Sequence, residues 1–192
     1  MAKLHFKYGA MNSGKSDTLI KTVYNYEERG LNVVVIKPKV DTKGGGTIVA
    51  RGGHSRNVDL LADETINLLD EISTKRNIAC VLVDEAQFLS SEHVSQLYAL
   101  AKQHDISVIC YGLRTDFQSK VFIPGAKRLL EVADSISKLP TMCFCGSQAE
   151  FNTRKLDGVY IFSGNQIAIE DGQEITYDAL CGACYLREGG TI

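Results

Sequence analysis

Residues 9–16 read Gly-Ala-Met-Asn-Ser-Gly-Lys-Ser and match the pattern G-x-x-x-x-G-K-[ST] at every fixed position. A short alternating segment, residues 4–8, precedes this stretch, and residues 17–29 follow it with apolar side chains at helical spacing. A strand, a glycine-rich loop and a helix in this order are typical of a phosphate-binding loop, in which backbone N–H groups and the helix N-terminus face a polyphosphate. The pattern therefore predicts that the chain binds a nucleoside triphosphate.

The loop also contains the side chains that such a site needs. Lys15 is expected to reach the terminal phosphates, and the hydroxyl of Ser16 is expected to ligate Mg²⁺. The predicted triphosphate-binding residues of the loop are Gly9, Ala10, Met11, Asn12, Ser13, Gly14, Lys15 and Ser16.

Size and charge exclude several classes of protein. A chain of 192 residues with 44% hydrophobic residues can bury one core and a small appendage. Its net charge of −2 disfavours nucleic acid as a partner. No apolar run approaches the roughly 18 residues that span a bilayer, and Met1-Ala2-Lys3 leads directly into a strand, so we expect neither a membrane segment nor a signal peptide. We expect a cytoplasmic protein whose six cysteines stay reduced.

Strand-like and helix-like segments alternate up to about residue 139. The predicted strands are 31–36, 78–83 and 106–111, and the predicted helices are 62–75, 92–104 and 126–133. Repeated βα units predict an α/β fold of the P-loop NTPase type, with a parallel sheet flanked by helices. After Pro140 short β-like pieces replace this alternation. We therefore divide the chain into a nucleotide-binding domain, residues 1–139, and a small C-terminal lobe, residues 140–192.

The stretch from residue 43 to residue 53 is rich in glycine and lies among several basic side chains. We expect it to pack into no core and to be mobile. A solvated linker and a functional loop both fit this composition. The basic residues in and around it are Lys37, Lys39, Lys43, Arg51 and Arg56.

Four cysteines lie in two close pairs in the C-terminal lobe. Cys143 and Cys145 form a Cys-x-Cys pair, and Cys181 and Cys184 form a Cys-x-x-Cys pair. Four thiolates from two turns suit tetrahedral Zn²⁺, and a complete set of four protein ligands indicates a structural metal. The alternative is two unrelated sets of free thiols. The remaining cysteines, Cys80 and Cys110, lie in apolar strands and are predicted to be buried core residues.

Two adjacent carboxylates, Asp84 and Glu85, follow the predicted strand 78–83. In a nucleotide-binding sheet the carboxyl ends of the strands face the phosphate loop. Asp84 is expected to hold Mg²⁺, and Glu85 to act as a general base. The base could act on water, as in an ATPase, or on a substrate hydroxyl, as in a kinase, and this pattern alone fits both.

These motifs together resemble one family, the zinc-containing thymidine kinases of bacteria, large DNA phages and viruses, and the vertebrate cytosol. The resemblance extends from about residue 4 to residue 186. The segments that carry it, in order, are the loop 9–16, Lys-Pro-Lys-Val-Asp-Thr at 37–42, Asp-Glu-Ala-Gln-Phe at 84–88, Tyr-Gly-Leu-Arg-Thr-Asp-Phe at 111–117, Cys143-Phe-Cys145-Gly, and Tyr177 before Cys181-x-x-Cys184.

The resemblance implies transfer of the γ-phosphate of ATP to the 5′-hydroxyl of thymidine or deoxyuridine. Glu85 matches the general base, and Ser16 and Asp84 match the Mg²⁺ site. Asp84, Glu85, Ala86 and Gln87 are counted with the ATP site. The resemblance also implies a zinc-ribbon lobe that carries a lasso loop over the nucleoside. The positions that match the nucleoside pocket are Met11, Phe88, Leu113, Phe117, Phe122, Thr153, Ile167, Ile169 and Tyr177.

The resemblance further implies structural Zn²⁺, Mg²⁺ with ATP, and a homotetramer. Feedback inhibition by thymidine triphosphate is common in the family. Residues 170–175, Glu-Asp-Gly-Gln-Glu-Ile, depart from the shorter Gly-Gly-containing stretch that is typical of the lasso.

Three other functions compete with this interpretation. A zinc-dependent ATPase that binds nucleic acid would use the same loop, but between the cysteine pairs the lobe has two basic residues against six acidic ones, which repel phosphates. A kinase of another nucleoside, such as deoxyuridine alone or deoxycytidine, is an alternative nearer to a thymidine kinase. A sensor that binds nucleotide without turnover is disfavoured by the intact Lys15, Ser16, Asp84 and Glu85.

Overall fold

The computed structural model describes residues 1–165 and 174–192. Six parallel strands form the main sheet in the order β5-β2-β6-β7-β1-β8. These strands are β1 (Leu4–Tyr8), β2 (Asn32–Pro38), β5 (Leu60–Ala62), β6 (Ile78–Val83), β7 (Ser107–Gly112) and β8 (Ser135–Lys138), and a hairpin of β3 (Thr47–Val49) and β4 (Ser55–Asn57) lies beside the sheet. The α/β fold with a parallel sheet is confirmed.

Helices cover both faces of this sheet. The helices of the first part of the chain are α1 (Lys15–Glu27), α2 (Leu68–Ser73), α3 (Ser91–Gln103) and α4 (Gly125–Val132). On one face α2, α3 and α4 pack against side chains such as Phe6, Ile36 and Val83. On the other face α1 and Ile48 of the hairpin pack against Val35 and its neighbours. The alternation along β2 therefore places successive residues in two separate cores.

Strands β1 and β6 have the predicted bounds, and two other strands of the sheet were not predicted. Residues 60–62, which border the predicted helix 62–75, form β5, because they pair with residues 36–38 of β2. The helix begins only at Leu68, where the Asn67 side chain accepts hydrogen bonds from the N–H groups of Leu69 and Asp70 at 3.0 and 3.2 Å. Strand β8 is the edge strand beside β1.

The glycine-rich stretch packs more closely than its composition suggests. Ile48 and Ala50 are buried, and Ile48 contributes to the core on the α1 face. The prediction that this stretch packs into no core is therefore wrong, since a β-branched strand between the glycines provides the apolar contacts.

The C-terminal lobe contains the expected short strands. Strands β9 (Phe151–Leu156), β10 (Val159–Ile161) and β11 (Ile175–Leu180) form an antiparallel sheet in the order β10-β9-β11, and helix α5 (Gly182–Arg187) follows. Its core includes Tyr185, whose ring stacks on Phe151 with 4.6 Å between centroids. The Tyr185 hydroxyl donates a 3.0 Å hydrogen bond to the carbonyl of Phe117, which joins the lobe to the loop that follows β7.

Two further expectations concern burial and membrane insertion. Cys80 and Cys110 are fully buried in β6 and β7, as predicted. Within residues 1–165 and 174–192, no helix has the length and apolar character needed to cross a membrane.

Candidate active site

The phosphate-binding loop connects β1 to α1 at the carboxyl edge of the sheet. Gly14 has φ 71° and Asn12 has φ 68°, so two left-handed residues turn the backbone before the helix begins at Lys15. The loop residues 11–16 line a cavity of about 490 Å³ together with Glu85 and Leu113. Residues 11–16 of the predicted triphosphate loop and the predicted base therefore line one cavity, which Gly9 and Ala10 do not line.

Lys15 is nearly buried beneath this cavity. Its ammonium donates to the carbonyls of Gly9 and Ala10 at 3.2 and 3.1 Å. Burial lowers the pKa of Lys15, and the carboxylates of Glu85 and Asp84 oppose this effect. The third partner of the ammonium is the Ser13 hydroxyl at 3.5 Å, so all its partners are neutral groups of its own loop, and an anion in the cavity would be a stronger partner.

Asp84 lies at the end of β6 and contacts the loop. Its Oδ2 accepts a 3.0 Å hydrogen bond from the Ser16 hydroxyl, while its buried Oδ1 has no hydrogen-bond partner among the described residues. Burial, and then the negative charge of Glu85, raises the pKa of Asp84 to about 7. A carboxylate with one unsatisfied oxygen beside a serine hydroxyl is a donor set that suits Mg²⁺. Ser16 and Asp84 therefore fit the metal that the sequence predicts.

Glu85 is held in an unusual backbone conformation at the cavity edge. Its φ of 47° is left-handed, which is uncommon for a residue with a side chain and is often found at functional sites. Gln87 donates from Nε2 to Glu85 Oε2 at 2.6 Å and accepts at Oε1 from the Leu113 N–H at 3.0 Å. A Cβ at Gly112 would lie 2.7 Å from Gln87 Oε1, so glycine is needed for this approach. Gln87 thus orients Glu85. Ala86, which lies between them in the sequence, is buried in the core.

The predicted nucleoside-binding residues do not all line the same cavity. Met11 and Leu113 line the cavity that contains Glu85. Phe88 and Phe122, whose rings meet edge to face at 5.2 Å, line a second cavity of about 790 Å³ together with Asn165.

Three further predicted nucleoside residues, Phe117, Thr153 and Tyr177, line neither of these two cavities. Phe117 is buried under the guanidinium of Arg154, which lies 3.8 Å from its ring centroid and 5.5 Å from that of Tyr177. Thr153 is fully buried, and its hydroxyl donates to the carbonyl of Asp178 at 3.2 Å. Ile167, Ile169 and most of the predicted lasso lie outside the described residues.

Asn152 on β9 is a residue of the site that the sequence analysis missed. Its side chain is buried, accepts from the Met11 N–H at 2.7 Å and donates to the Thr115 carbonyl at 2.7 Å. It therefore links the C-terminal lobe to the phosphate loop and to the loop that follows β7. No sequence signal distinguishes Asn152, because its partners are far away along the chain.

The hairpin β3–β4 also contributes residues that were not predicted. Arg51 and His54 line the cavity, and His54 Nδ1 lies 3.0 Å from Asp17 Oδ1 in the first turn of α1. The basic residues of the glycine-rich stretch were the available signal, but the composition could not separate a linker from a functional loop.

The four cysteines of the C-terminal lobe come together. The sulfur atoms of Cys143, Cys145, Cys181 and Cys184 all lie within 4.8 Å of one another, and those of Cys145 and Cys181 are 3.6 Å apart. Tetrahedral Zn²⁺ with bonds of about 2.3 Å would place its sulfur ligands about 3.8 Å apart. Arg187 donates to the Cys184 sulfur at 2.7 Å, which suits a thiolate. The donor set therefore could bind zinc.

Comparisons with known proteins show the family of this chain. The family model described as thymidine kinase matches residues 2–185. A thymidine kinase of Haemophilus influenzae is 45% identical over 197 residues, which cover all of both chains. Thymidine kinases of Shewanella oneidensis and Enterobacteria phage T4 are each 41% identical to this chain, and each alignment covers 94% of it. The alignments cover 95% of the Shewanella protein and 94% of the phage protein.

A solved structure of Pif1 helicases at forked DNA aligns with 71% of this chain and with 39% of the helicase chain, at 17% sequence identity. The TM-score of this alignment is 0.37, which is too low to indicate a shared fold. The match to the family model and to the relatives covers both the phosphate loop and the cysteine lobe. This chain belongs to the thymidine kinase family.

Proposed function

We propose that this protein transfers the γ-phosphate of ATP to the 5′-hydroxyl of thymidine or deoxyuridine, giving the nucleoside monophosphate and ADP. Its membership of the thymidine kinase family supports the reaction and the nucleoside. The observation that carries the mechanism is the position of Glu85, a half-buried carboxylate at the edge of the same cavity as the phosphate loop. The reaction serves pyrimidine salvage.

ATP would bind with its phosphates over the loop 9–16. Backbone N–H groups of the loop would face the phosphate oxygens, and Lys15 would exchange its two carbonyl partners for the terminal phosphates. Ser16 and Asp84 would hold Mg²⁺, which neutralises charge on the β- and γ-phosphates when it is bound.

Glu85 would accept the proton of the nucleoside 5′-hydroxyl as that oxygen attacks the γ-phosphorus. General bases contribute about 10²–10⁴-fold to a rate when they are correctly positioned. The hydrogen bond from Gln87 limits the orientations of the Glu85 carboxylate before the substrate arrives. Met11 and Leu113 would lie beside the nucleoside in the same cavity.

On the resemblance to the family, the walls of the nucleoside site would come from Phe88 and Phe122, which line the second cavity, and from Phe117, Thr153 and Tyr177, which line neither cavity. The lasso residues Ile167 and Ile169 would complete it. Aromatic rings suit a pyrimidine, which has π-faces to stack and a small 5-substituent to bury. Cytosine presents an amino group and an unprotonated N3 where thymine presents a carbonyl and N3–H. Each mismatched buried pair costs about 1–3 kcal/mol, so deoxycytidine should be a poor substrate.

Zinc at the four cysteines would hold the C-terminal lobe together. The metal would join the turn around Cys143 and Cys145 to the end of β11 and the start of α5, where Cys181 and Cys184 lie. The metal would thereby fix the position of the small sheet, whose strands β10 and β11 precede and follow the predicted lasso. On the resemblance to the family, the protein would be a homotetramer, and it would act in the cytoplasm.

The decisive experiment measures phosphate transfer from ATP to a panel of nucleosides, with Glu85→Gln as the matched variant. We expect thymidine and deoxyuridine to be phosphorylated, with little activity on deoxycytidine or purine nucleosides. Glu85→Gln should bind ATP as the wild type does but turn over about 10²–10⁴-fold more slowly. Equal kcat/KM for thymidine and deoxycytidine would refute the substrate assignment, and an active Glu85→Gln would refute the base.

A further inference from the structure

The turn of the hairpin β3–β4 forms a wall of the triphosphate cavity that the mechanism above does not use. We propose that Arg51, in this turn, is a further catalytic residue that contacts the γ-phosphate of ATP and stabilises its charge during transfer. The proposal rests on the placement of the triphosphate over the loop 9–16. It assigns a role to a basic residue of the glycine-rich stretch.

The position of Arg51 comes from the residues that share the cavity with it. Val49, Ala50, Arg51 and Gly52 line the same cavity as the phosphate loop, Lys15 and Glu85. Arg51 is exposed, so its guanidinium has access to a ligand. Burial is the main cause that lowers the pKa of Lys15, and the positive charge of Arg51 adds to it, which places the two cations within electrostatic reach.

The backbone that carries Arg51 is anchored on both sides. Ile48 and Ala50, which precede it, are 2% and 4% exposed. The Ala50 N–H donates to the His54 carbonyl at 2.8 Å, and the Gly53 N–H donates to the Ala50 carbonyl at 3.0 Å. His54 also meets Asp17 of α1, directly after the phosphate loop. The turn is therefore held against the helix whose N-terminus faces the phosphates.

Arg51 differs from the neighbouring cations in its partners. Lys21 is paired with Asp17 at 2.6 Å, and Arg56 of the same hairpin makes two contacts with the Glu27 carboxylate at 3.2 and 2.8 Å. Across the two described ranges, Arg51 has neither a hydrogen bond nor an ion pair. A permanently charged guanidinium that faces an anion site without a partner is suited to bind phosphate oxygens.

Lys43 also lines the cavity without an ion pair in the described ranges, but its support is weaker. It lies in the turn of residues 43–46, all of which are exposed, whereas Arg51 follows directly after a buried residue. A guanidinium also presents several N–H donors in a fixed plane, so that two can bind two oxygens of one phosphate. These two properties favour Arg51 as the directed contact.

The chemical step explains why this contact would matter for rate. The 5′-oxygen of thymidine forms a bond to the γ-phosphorus, and the proton of that hydroxyl passes to Glu85. The bond between the γ-phosphorus and the bridging oxygen breaks, and its electron pair stays on ADP. Charge shifts across the γ-phosphoryl oxygens and the bridging oxygen during transfer, so a cation placed there stabilises the transition state more than the bound substrate.

The test compares Arg51→Gln, Arg51→Lys and the hairpin control Arg56→Gln. For Arg51→Gln we expect kcat to fall by about 10²–10³-fold, as it does when a directed donor to a developing charge is removed. Arg51→Lys should recover part of this loss, because it keeps the charge but loses the paired donors. Arg56→Gln removes the ion pair between this hairpin and Glu27 of α1 but no cation from the cavity, and should keep kcat within about threefold of wild type.

Binding measurements separate a γ-phosphate contact from a role in holding the hairpin. Calorimetry should give wild-type affinity of Arg51→Gln for ADP and weaker affinity for the unreactive β,γ-imido analogue of ATP, with an unchanged Tm. Weakened ADP binding or a lowered Tm together with the loss of kcat would overturn the proposal, since Arg51 would then act through the fold. Arg51→Gln with wild-type kcat would also overturn it.

A reference variant, Lys15→Met, separates failure of the inference from failure of the proposed site. If Lys15→Met loses ATP affinity or turnover while Arg51→Gln does not, the site stands and the Arg51 proposal is wrong. If Lys15→Met behaves as wild type, the triphosphate does not lie over the loop, and both are wrong.

Discussion

Substitution of Asn152 by leucine tests whether the C-terminal lobe controls the phosphate loop. Leucine has nearly the shape of asparagine but offers neither the acceptor for the Met11 N–H nor the donor for the Thr115 carbonyl, each now at 2.7 Å. We expect Asn152→Leu to destabilise the fold and to raise the KM for ATP, because Met11 is part of the predicted triphosphate loop.

The size of the effect follows from the two hydrogen bonds. A buried polar group that loses its partner costs about 1–3 kcal/mol. The Thr115 carbonyl bond is buried, and the Met11 bond is partly buried, so water can replace part of the second. The sum is about 2–4 kcal/mol, which lowers Tm by roughly 4–16 °C for a chain of this size.

The assay combines calorimetry with steady-state kinetics and uses Ile72→Ala as the control. Ile72 is fully buried on α2, in a core that contains no residue of the phosphate loop, and its truncation costs about 2–5 kcal/mol. Both variants should lose stability, but only Asn152→Leu should raise the KM for ATP several-fold. An equal rise in both variants, or no rise in Asn152→Leu, would refute the idea that this side chain positions the loop.

Three further predictions concern zinc, the buried carboxylate and the glycine behind Gln87. Purified protein should contain one Zn²⁺ per chain. The variant Cys181→Ser should lose the metal, have a lower Tm and bind thymidine more weakly, with a smaller effect on ATP binding. The absence of zinc from protein freshly prepared without chelators would contradict this prediction. The pKa of Asp84 is raised to about 7 in the folded state, so between about pH 4 and pH 7 this group keeps a proton that the unfolded chain has lost. The unfolding free energy of Mg²⁺-free protein should therefore decrease as the pH rises from about 4 to about 7. The decrease should be smaller in Asp84→Asn. Gly112→Ala should displace Gln87 and lower kcat by about 10-fold or more with little change in the KM for ATP; wild-type kcat would show that this contact does not orient Glu85.

The parts of the fold that were predicted are those with a local signal. Strands β1 and β6 have the expected bounds, and β7 and α3 begin within a residue of their predicted starts. These segments are buried runs or amphipathic helices, so their periodicity reports their environment directly. The phosphate loop and the cysteine pairs were found for the same reason, since each motif lies within a few consecutive residues.

The parts that were missed depend on neighbours far away in the sequence. Strand β5 is three residues long, and β8 consists mainly of exposed residues at the sheet edge, so neither has a periodic pattern. Both exist because they pair with β2 and β1. Asn152 is separated from Met11 by 141 positions, and a lone asparagine in a strand gives no indication of such a partner.

The Asn152 contact connects the zinc and ATP predictions and leads to a sharper test than either alone. Zinc bound by the four cysteines would join the turn before β9 to the end of β11, and β9 carries Asn152, which accepts from the Met11 N–H. Loss of the metal should therefore raise the KM for ATP as well as that for thymidine, with the smaller effect on ATP. If the effect on ATP passes through Asn152, it should be absent in Asn152→Leu, where the connection is already broken.

A double-mutant cycle of Asn152→Leu and Cys181→Ser measures this coupling directly. We expect the two changes to be non-additive in the KM for ATP, with the double variant close to Asn152→Leu alone. Their effects on the KM for thymidine should remain nearly additive, since the predicted lasso lies between β10 and β11 in the sequence, and β11 begins opposite Leu156 and not opposite Asn152. Additive effects on ATP would show that the metal reaches the phosphate loop by another route, and would leave Asn152 a residue that stabilises the lobe alone.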